Sequence, residues 1–325
     1  MKSKKTISFL IKIGVVFLTL FYLYKQLSLK ASIKDFNIDH IFLQLQNNYF
    51  LIILVLFMMF INWFLESLKW RFLISKIEKI SILRSIQAIF SGITVSSFTP
   101  NRVGEYGGRV FCLKKADRIQ AVLITIIGSM AQLITTIIFG LLGILLLPNL
   151  IPAFDALLSD FVFAYPIILF IFILLNVILV TLFLNISVFS FLLSKFNFLS
   201  KYHKYHNVFC FYDLHELLEV LLYSIARYIV FTTQFFILLF IFEVNITYIE
   251  AIILTSSMLF IISIIPTIAI TEIGVRGSVS LFLFSFISSN TIGILSATFV
   301  MWVVNLLLPA IIGTIFIFTL NFFRK

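Results

Sequence analysis

The sequence predicts an all-α polytopic membrane protein, an inverted repeat of two halves with about six full spans and two re-entrant or broken segments. Eight full spans are the alternative. Three observations carry this. Hydrophobic residues make up 61% of the 325-residue chain, charged residues 12%, and mean hydropathy is +1.13, a composition of membrane proteins rather than soluble domains. A short pattern, E-x-G-x-R, occurs twice, as Glu105-Tyr106-Gly107-Gly108-Arg109 and Glu272-Ile273-Gly274-Val275-Arg276, with 167 residues from Glu105 to Glu272. The loop charges then set the topology. Helices are favoured over a barrel because the apolar stretches lack the alternation of barrel strands.

Eight apolar segments follow in order: 7–24, 49–68, 82–98, 119–147, 161–184, 216–242, 248–266 and 286–321. The first follows Lys2, Lys4 and Lys5 but contains Lys12 and ends in Tyr24-Lys25-Gln26-Leu27, so it reads as an uncleaved helix rather than a signal peptide. Adding 167 to the starts of the first four segments places them in or at the edge of the last four. The repeat therefore rests on hydropathy as well as motif, with halves at 1–150 and 151–325 of a single membrane domain.

The stretches around 69–84 and 100–118 are both strongly basic, and only 82–98 separates them. A full crossing there would put one basic loop outside, against the positive-inside rule. A segment that dips in and returns keeps both inside. The second half is then inverted relative to the first, and both termini are expected in the cytoplasm of a multi-pass cell-membrane protein. Lys25, Lys30 and Lys34 in an outside loop run against this. The +10 net charge fits an anionic lipid face and gives no reason to expect nucleic acid. Cys112 and Cys210 lie beside basic loops, so no disulfide framework is expected.

Pro100, Gly104, Gly107 and Gly108 supply the break in the first half; Pro266, Gly274 and Gly277 do so in the second, with Thr99 and Thr271 as candidate N-caps. Broken segments at matching positions are a recurrent way for transporters to hold a charged substrate near the midplane. Glu and Arg at i and i+4 share a helix face, so each pair is either a structural lock or part of a site. In the second reading Arg109 and Arg276 face one cavity and offer planar forks to phosphate. Glu105 and Glu272 then receive an ammonium or a coupling proton. Arg102 either adds charge at the cavity mouth or is a surface charge. Arg227, inside the 216–242 span, either lines the cavity or snorkels to the interface. Glu66 and Lys69 read as an interfacial pair, and Gln132, Asn176, Gln234 and Asn305 as interhelical hydrogen-bonding groups. His203 and His206, with Asp213, His215 and Glu216 nearby, lack a zinc-type spacing. No catalytic residue, metal or cofactor is expected.

The run Ser97-Phe98-Thr99-Pro100-Asn101-Arg102-Val103-Gly104-Glu105 resembles the first signature of the lysylphosphatidylglycerol synthase transmembrane-region family. Pro266 to Arg276 resembles the second, and Leu68-Lys69-Trp70-Arg71-Phe72-Leu73 the basic-Trp segment after the family's second helix. The resemblance implies a lipid-handling membrane domain, in some members translocating aminoacylated phosphatidylglycerol. Two departures stand out. Gly277 occupies a position where the family often has an acidic residue, and the chain stops at Lys325 without the soluble catalytic domain of synthase-bearing members. The expectation is a flippase-like protein for an anionic or aminoacylated lipid, and not an enzyme. Its expected partners are membrane lipids through their anionic headgroups, with a second copy or a lipid-modifying enzyme beside it. The alternatives are a subunit or enzyme of lipid-headgroup or polyprenyl-glycan modification, and a small-anion secondary transporter.

Overall fold

The computed structural model describes residues 38–99, 102–151, 164–188, 207–265 and 272–318, together with positions 14, 17 and 205. The expected first span lies almost wholly outside these residues. So do Pro100, Pro266, Thr271, His203 and His206.

The regular elements among the described residues are helices: α1 (Ile38–Asn47), α2 (Tyr49–Ile74), α3 (Ile82–Ser96), α4 (Gly104–Val110), α5 (Arg118–Leu150), α6 (Ala164–Leu184), α7 (Leu214–Ile241), α8 (Tyr248–Ile264), α9 (Glu272–Phe284), α10 (Thr291–Trp302) and α11 (Leu308–Ile317). A π turn, Val303–Leu307, joins α10 to α11 as one bent helix. Pro309, which cannot donate to the ladder, sits just after this turn. Four of these are long and apolar enough to cross a bilayer: α2, α5, α7 and the bent helix Thr291–Ile317. The chain is a polytopic helical membrane protein.

Helix starts are fixed by side-chain caps. Ser81 accepts from the backbone of Arg84, Asp117 from Ile119 and Gln120, and Asn290 from Gly293. Asp213 with Glu216, and Thr247 with Glu250, form reciprocal capping boxes. Asp213 and Glu216 are thus engaged in helix capping, and Glu216 also pairs with Lys76 at 2.5 Å.

The half-chain offset recurs in the helices. α2 matches α7, α3 matches α8, α4 matches α9, and α5 matches the bent helix, with starts separated by 165, 166, 168 and 173 residues. Each short pair is a hairpin. In the first, α4 runs back along α3: a Cβ on Gly108 would lie 2.6 Å from Gly92 Cα, and one on Gly104 2.6 Å from the Val95 carbonyl. The loops flanking this hairpin are clipped together, because the Glu78 carboxylate accepts from the backbone N–H groups of Lys114, Lys115 and Ala116 at 3.1, 2.7 and 2.7 Å. Burial works to raise the Glu78 pKa, but these three donors outweigh it and hold the group below the usual carboxylate range. Both basic loops therefore lie at one end of the bundle, as a re-entrant segment requires.

The second hairpin has its own clip. Asn290, after α9, donates its side-chain amide to the carbonyls of Phe242 and Glu243, ahead of α8, at 3.0 and 3.1 Å. This clip is at the opposite end. α2 and α7 run antiparallel, with Gln234 bonding the Val55 carbonyl near one end and Tyr212 bonding the Leu73 carbonyl at the other. The two hairpins thus enter from opposite ends and their tips meet. Each hairpin is buttressed by the long helix of the other half: α8 lies against α5 through Gly140 and Gly143, and α3 against α11 through Gly313.

Two sequence expectations change here. α2 continues past residue 68 to Ile74, so the basic-Trp segment is its last two turns rather than a loop. Gly107 and Gly274 lie inside α4 and α9, not at a break; the interruption precedes Gly104. Ahead of it the irregular backbone is satisfied locally. Thr99 Oγ1 accepts from Gly104, and the Ser96 and Ser97 hydroxyls donate to the Ile93 carbonyl.

Candidate functional site

The site is built where the hairpin tips meet against α2 and α7. Polar residues on α2 at Asn62, Glu66 and Lys69 follow i, i+4, i+7 spacing, so they share the face turned into the bundle. Glu66 is 4% exposed and Lys69 1% exposed. They are not the interfacial pair expected from sequence, because the helix carries on for two further turns and keeps them inside. Glu66 is the hub. Lys69 and Arg109 each reach its carboxylate at 2.8 Å, and Arg227 binds the oxygen that Lys69 uses.

Each cation is held further. Lys69 donates to the Gly128 carbonyl at 3.2 Å and to Ser224 at 3.4 Å. Arg227 donates to Asn62 at 2.9 Å and Gln132 at 3.2 Å, and its guanidinium lies 5.3 Å from the centre of the Trp63 ring. Arg227 is thus turned into the bundle rather than snorkelling. Arg109 also binds Glu105, four residues before it, and is 4% exposed. Such a network answers the cost of burying charge, since a lone ion in this setting is expensive and a paired, hydrogen-bonded one is tolerated.

The second motif sits differently. Glu272 binds Arg276 at 3.1 Å and Arg102 at 2.6 Å, both through one carboxylate oxygen. The Arg102 contact joins the tips of the two hairpins. Arg102 holds a left-handed backbone at φ 57°, a conformation that costs a non-glycine residue about 1–2 kcal/mol. The cross-tip ion pair helps to hold it there.

Between these clusters lies a cavity of about 120 Å³. Arg102, Arg227 and Arg276 line it, with Trp63, Trp302 and the amides of Asn62 and Asn305. Asn305 belongs to the π turn and links Asn62 to Gln234 by bonds of 3.4 and 2.9 Å. The indole N–H groups of Trp63 and Trp302 are buried without an acceptor among the described residues. The lining is therefore rich in donors and cations, which is the chemistry of an anion site.

Of the residues singled out in the sequence, Arg102, Arg227 and Arg276 meet at the cavity, and Glu272 sits beside it. Arg109 does not line it; it stays in the Glu66 network with Glu105. Gln132, Gln234 and Asn305 bond between helices, whereas Asn176 turns back to the Phe172 carbonyl of its own helix. Sequence reasoning missed the hub role of Glu66 and the parts of Trp63 and Trp302. The helical spacing of Asn62, Glu66 and Lys69 was the available signal.

The family model of the lysylphosphatidylglycerol synthase TM region matches residues 7–313. The chain belongs to that family. No curated protein and no solved structure matches it. As a lysylphosphatidylglycerol synthase TM region, it is a membrane protein linked to lipid modification or flipping, and the cavity is where its two hairpins converge with α2, α7 and the bent helix.

Proposed function

We propose that this membrane protein moves a lipid with an anionic headgroup between leaflets, and that the cavity between the hairpin tips is where the headgroup is held. One observation carries the reading. Arg102, Arg227 and Arg276 come from both halves of the chain and converge on one donor-lined cavity. Planar forks and indole donors suit a phosphodiester. Glu272 supplies the complementary acceptor: it can release an arginine to the phosphate or receive the ammonium of an aminoacylated headgroup. The reading is of a carrier rather than an enzyme, since the cavity lining among the described residues offers cations, indoles and amides and no nucleophile–base pair.

The basic end, with Lys76, Lys79, Lys114 and Lys115, is placed at the cytoplasmic face of the cell membrane by the positive-inside rule. Reconstitution into vesicles carrying a fluorescent phosphatidylglycerol, followed by its accessibility in each leaflet, tests the proposal. Protein-dependent scrambling or flipping that is lost in Arg276→Gln is expected. Uptake of a soluble anion without any movement of the lipid would overturn it.

A further inference from the structure

The face of α2 opposite the Glu66 network is a second place of interest. Phe57, Phe60, Ile61, Phe64, Leu68, Arg71, Phe72 and Ser75 recur at helical spacing and form one stripe. Phe57, Phe60 and Phe64 are exposed at 60%, 53% and 46%. Along its middle the stripe borders a groove of about 310 Å³, closed on the far side by Ile86 and Phe90 of α3 and lined by apolar side chains alone. At the basic end it runs into a separate cavity of about 350 Å³, where Arg71 and Lys79 stand with Leu68, Phe72, Ile80 and Tyr223.

Arg71 and Lys79 make no ion pair among the described residues, although Lys76 beside them is paired to Glu216. From Phe57 to Arg71 is fourteen residues, about 21 Å at 1.5 Å per residue, or roughly half the thickness of a bilayer with its headgroups. A polar, cationic cavity thus adjoins an apolar groove at the separation of a phospholipid's phosphate from its chain ends.

We infer that this stripe binds one anionic phospholipid, a resident of the leaflet at the basic end and distinct from any lipid in the central cavity, with its phosphate at Arg71 and Lys79 and an acyl chain in the α2–α3 groove. Charge selects the occupant, because a juxtamembrane cation attracts anionic lipid and neither cation is ion-paired among the described residues. The site gives Arg71, in the segment Leu68 to Leu73, a ligand of its own. It also backs the helix whose other face carries Asn62, Glu66 and Lys69.

Native mass spectrometry of the full chain in detergent, titrated with equal dioleoyl phosphatidylglycerol and dioleoyl phosphatidylcholine, tests this. Preferential retention of phosphatidylglycerol is expected, falling about tenfold in Arg71→Gln/Lys79→Gln and recovering in the charge-preserving Arg71→Lys/Lys79→Arg. Ile86→Trp, which fills the groove, should weaken retention of both lipids. In Arg276→Gln, which disables the central cavity, one phosphatidylglycerol should still be retained in preference to phosphatidylcholine, and adding Arg71→Gln/Lys79→Gln to that background should abolish the preference. A preference that survives in the triple variant, a preference wholly lost in Arg276→Gln alone, or retention of both lipids unchanged by Ile86→Trp would overturn the assignment.

Discussion

The two E-x-G-x-R motifs share a pattern and differ in what surrounds them. In the first half, Arg109 is held by Glu105 and by Glu66 and is shut away from the cavity. In the second, Arg276 pairs with Glu272 alone among the described residues, shares that carboxylate with Arg102, and lines the cavity. The offset explains the difference. The residue 167 positions after Glu66 is Thr233, so the second half has no counterpart of the hub. The hairpins diverge likewise: Gly92 and Gly108 touch backbone to backbone, while Leu259 and Val275 stand at the matching positions of the second. The arginine of the first motif is locked into a buried network, and that of the second stays at the cavity.

Glu66→Ala should break the lock most severely. It leaves Lys69, Arg109 and Arg227 buried around a missing anion, and removing one partner of a buried pair costs about 3–5 kcal/mol. Thermal unfolding followed by fluorescence-detected size exclusion should show it; a smaller loss than in Glu272→Ala would mean the halves are not divided as described.

Gly108→Ala comes next. Its Cβ would lie 2.6 Å from Gly92 Cα and 2.8 Å from the Ser91 carbonyl, so the helices must part, at about 1–3 kcal/mol. The same assay on Gly274→Ala, where nothing lies within 4 Å of the new Cβ, should show little change. Equal losses at both positions would erase the contrast between the hairpins.

Arg276→Lys should keep the fold and slow lipid transfer about tenfold, since it retains charge but loses the fork. Arg109→Lys should instead lower stability. Arg276 and Arg109 variants with the same transport defect at unchanged stability would return both arginines to a single shared role.

The smallest effect separates the two clips. The Glu78 carboxyl has a folded pKa below its ordinary value, so its contribution is fully present above the ordinary carboxylate pKa of about 4.3 and is lost as pH falls through the folded value. The Asn290 amide does not titrate. Hydrogen-exchange protection of Lys114, Lys115 and Ala116 should therefore drop in acid while that around Gly293 stays. A parallel drop at both ends would assign the change to the bundle as a whole.

Fold class, the paired motifs and the half-chain offset were legible because hydropathy and loop charge are properties of consecutive residues. The re-entrant placement of 82–98 followed from charge, and the Glu78 clip supplies its physical form. The inequality of the motifs was not legible, since it depends on Glu66 reaching Arg227 across 161 residues and Arg102 reaching Glu272 across 170. Glu66 and Lys69 were misplaced because hydropathy marks where a helix turns polar, not where it ends. Trp63 and Trp302 carry no sequence sign that their N–H groups are left without acceptors.

The sequence separations of these contacts also set an order of assembly during synthesis. Glu78 meets Ala116 over 38 residues and Glu66 meets Arg109 over 43, so the lock can close while the ribosome is still producing the middle of the chain. Arg102 must wait for Glu272, 170 residues later. The contacts of the first hairpin with α2 are thus available before Glu272 is synthesised, and the later half docks on them.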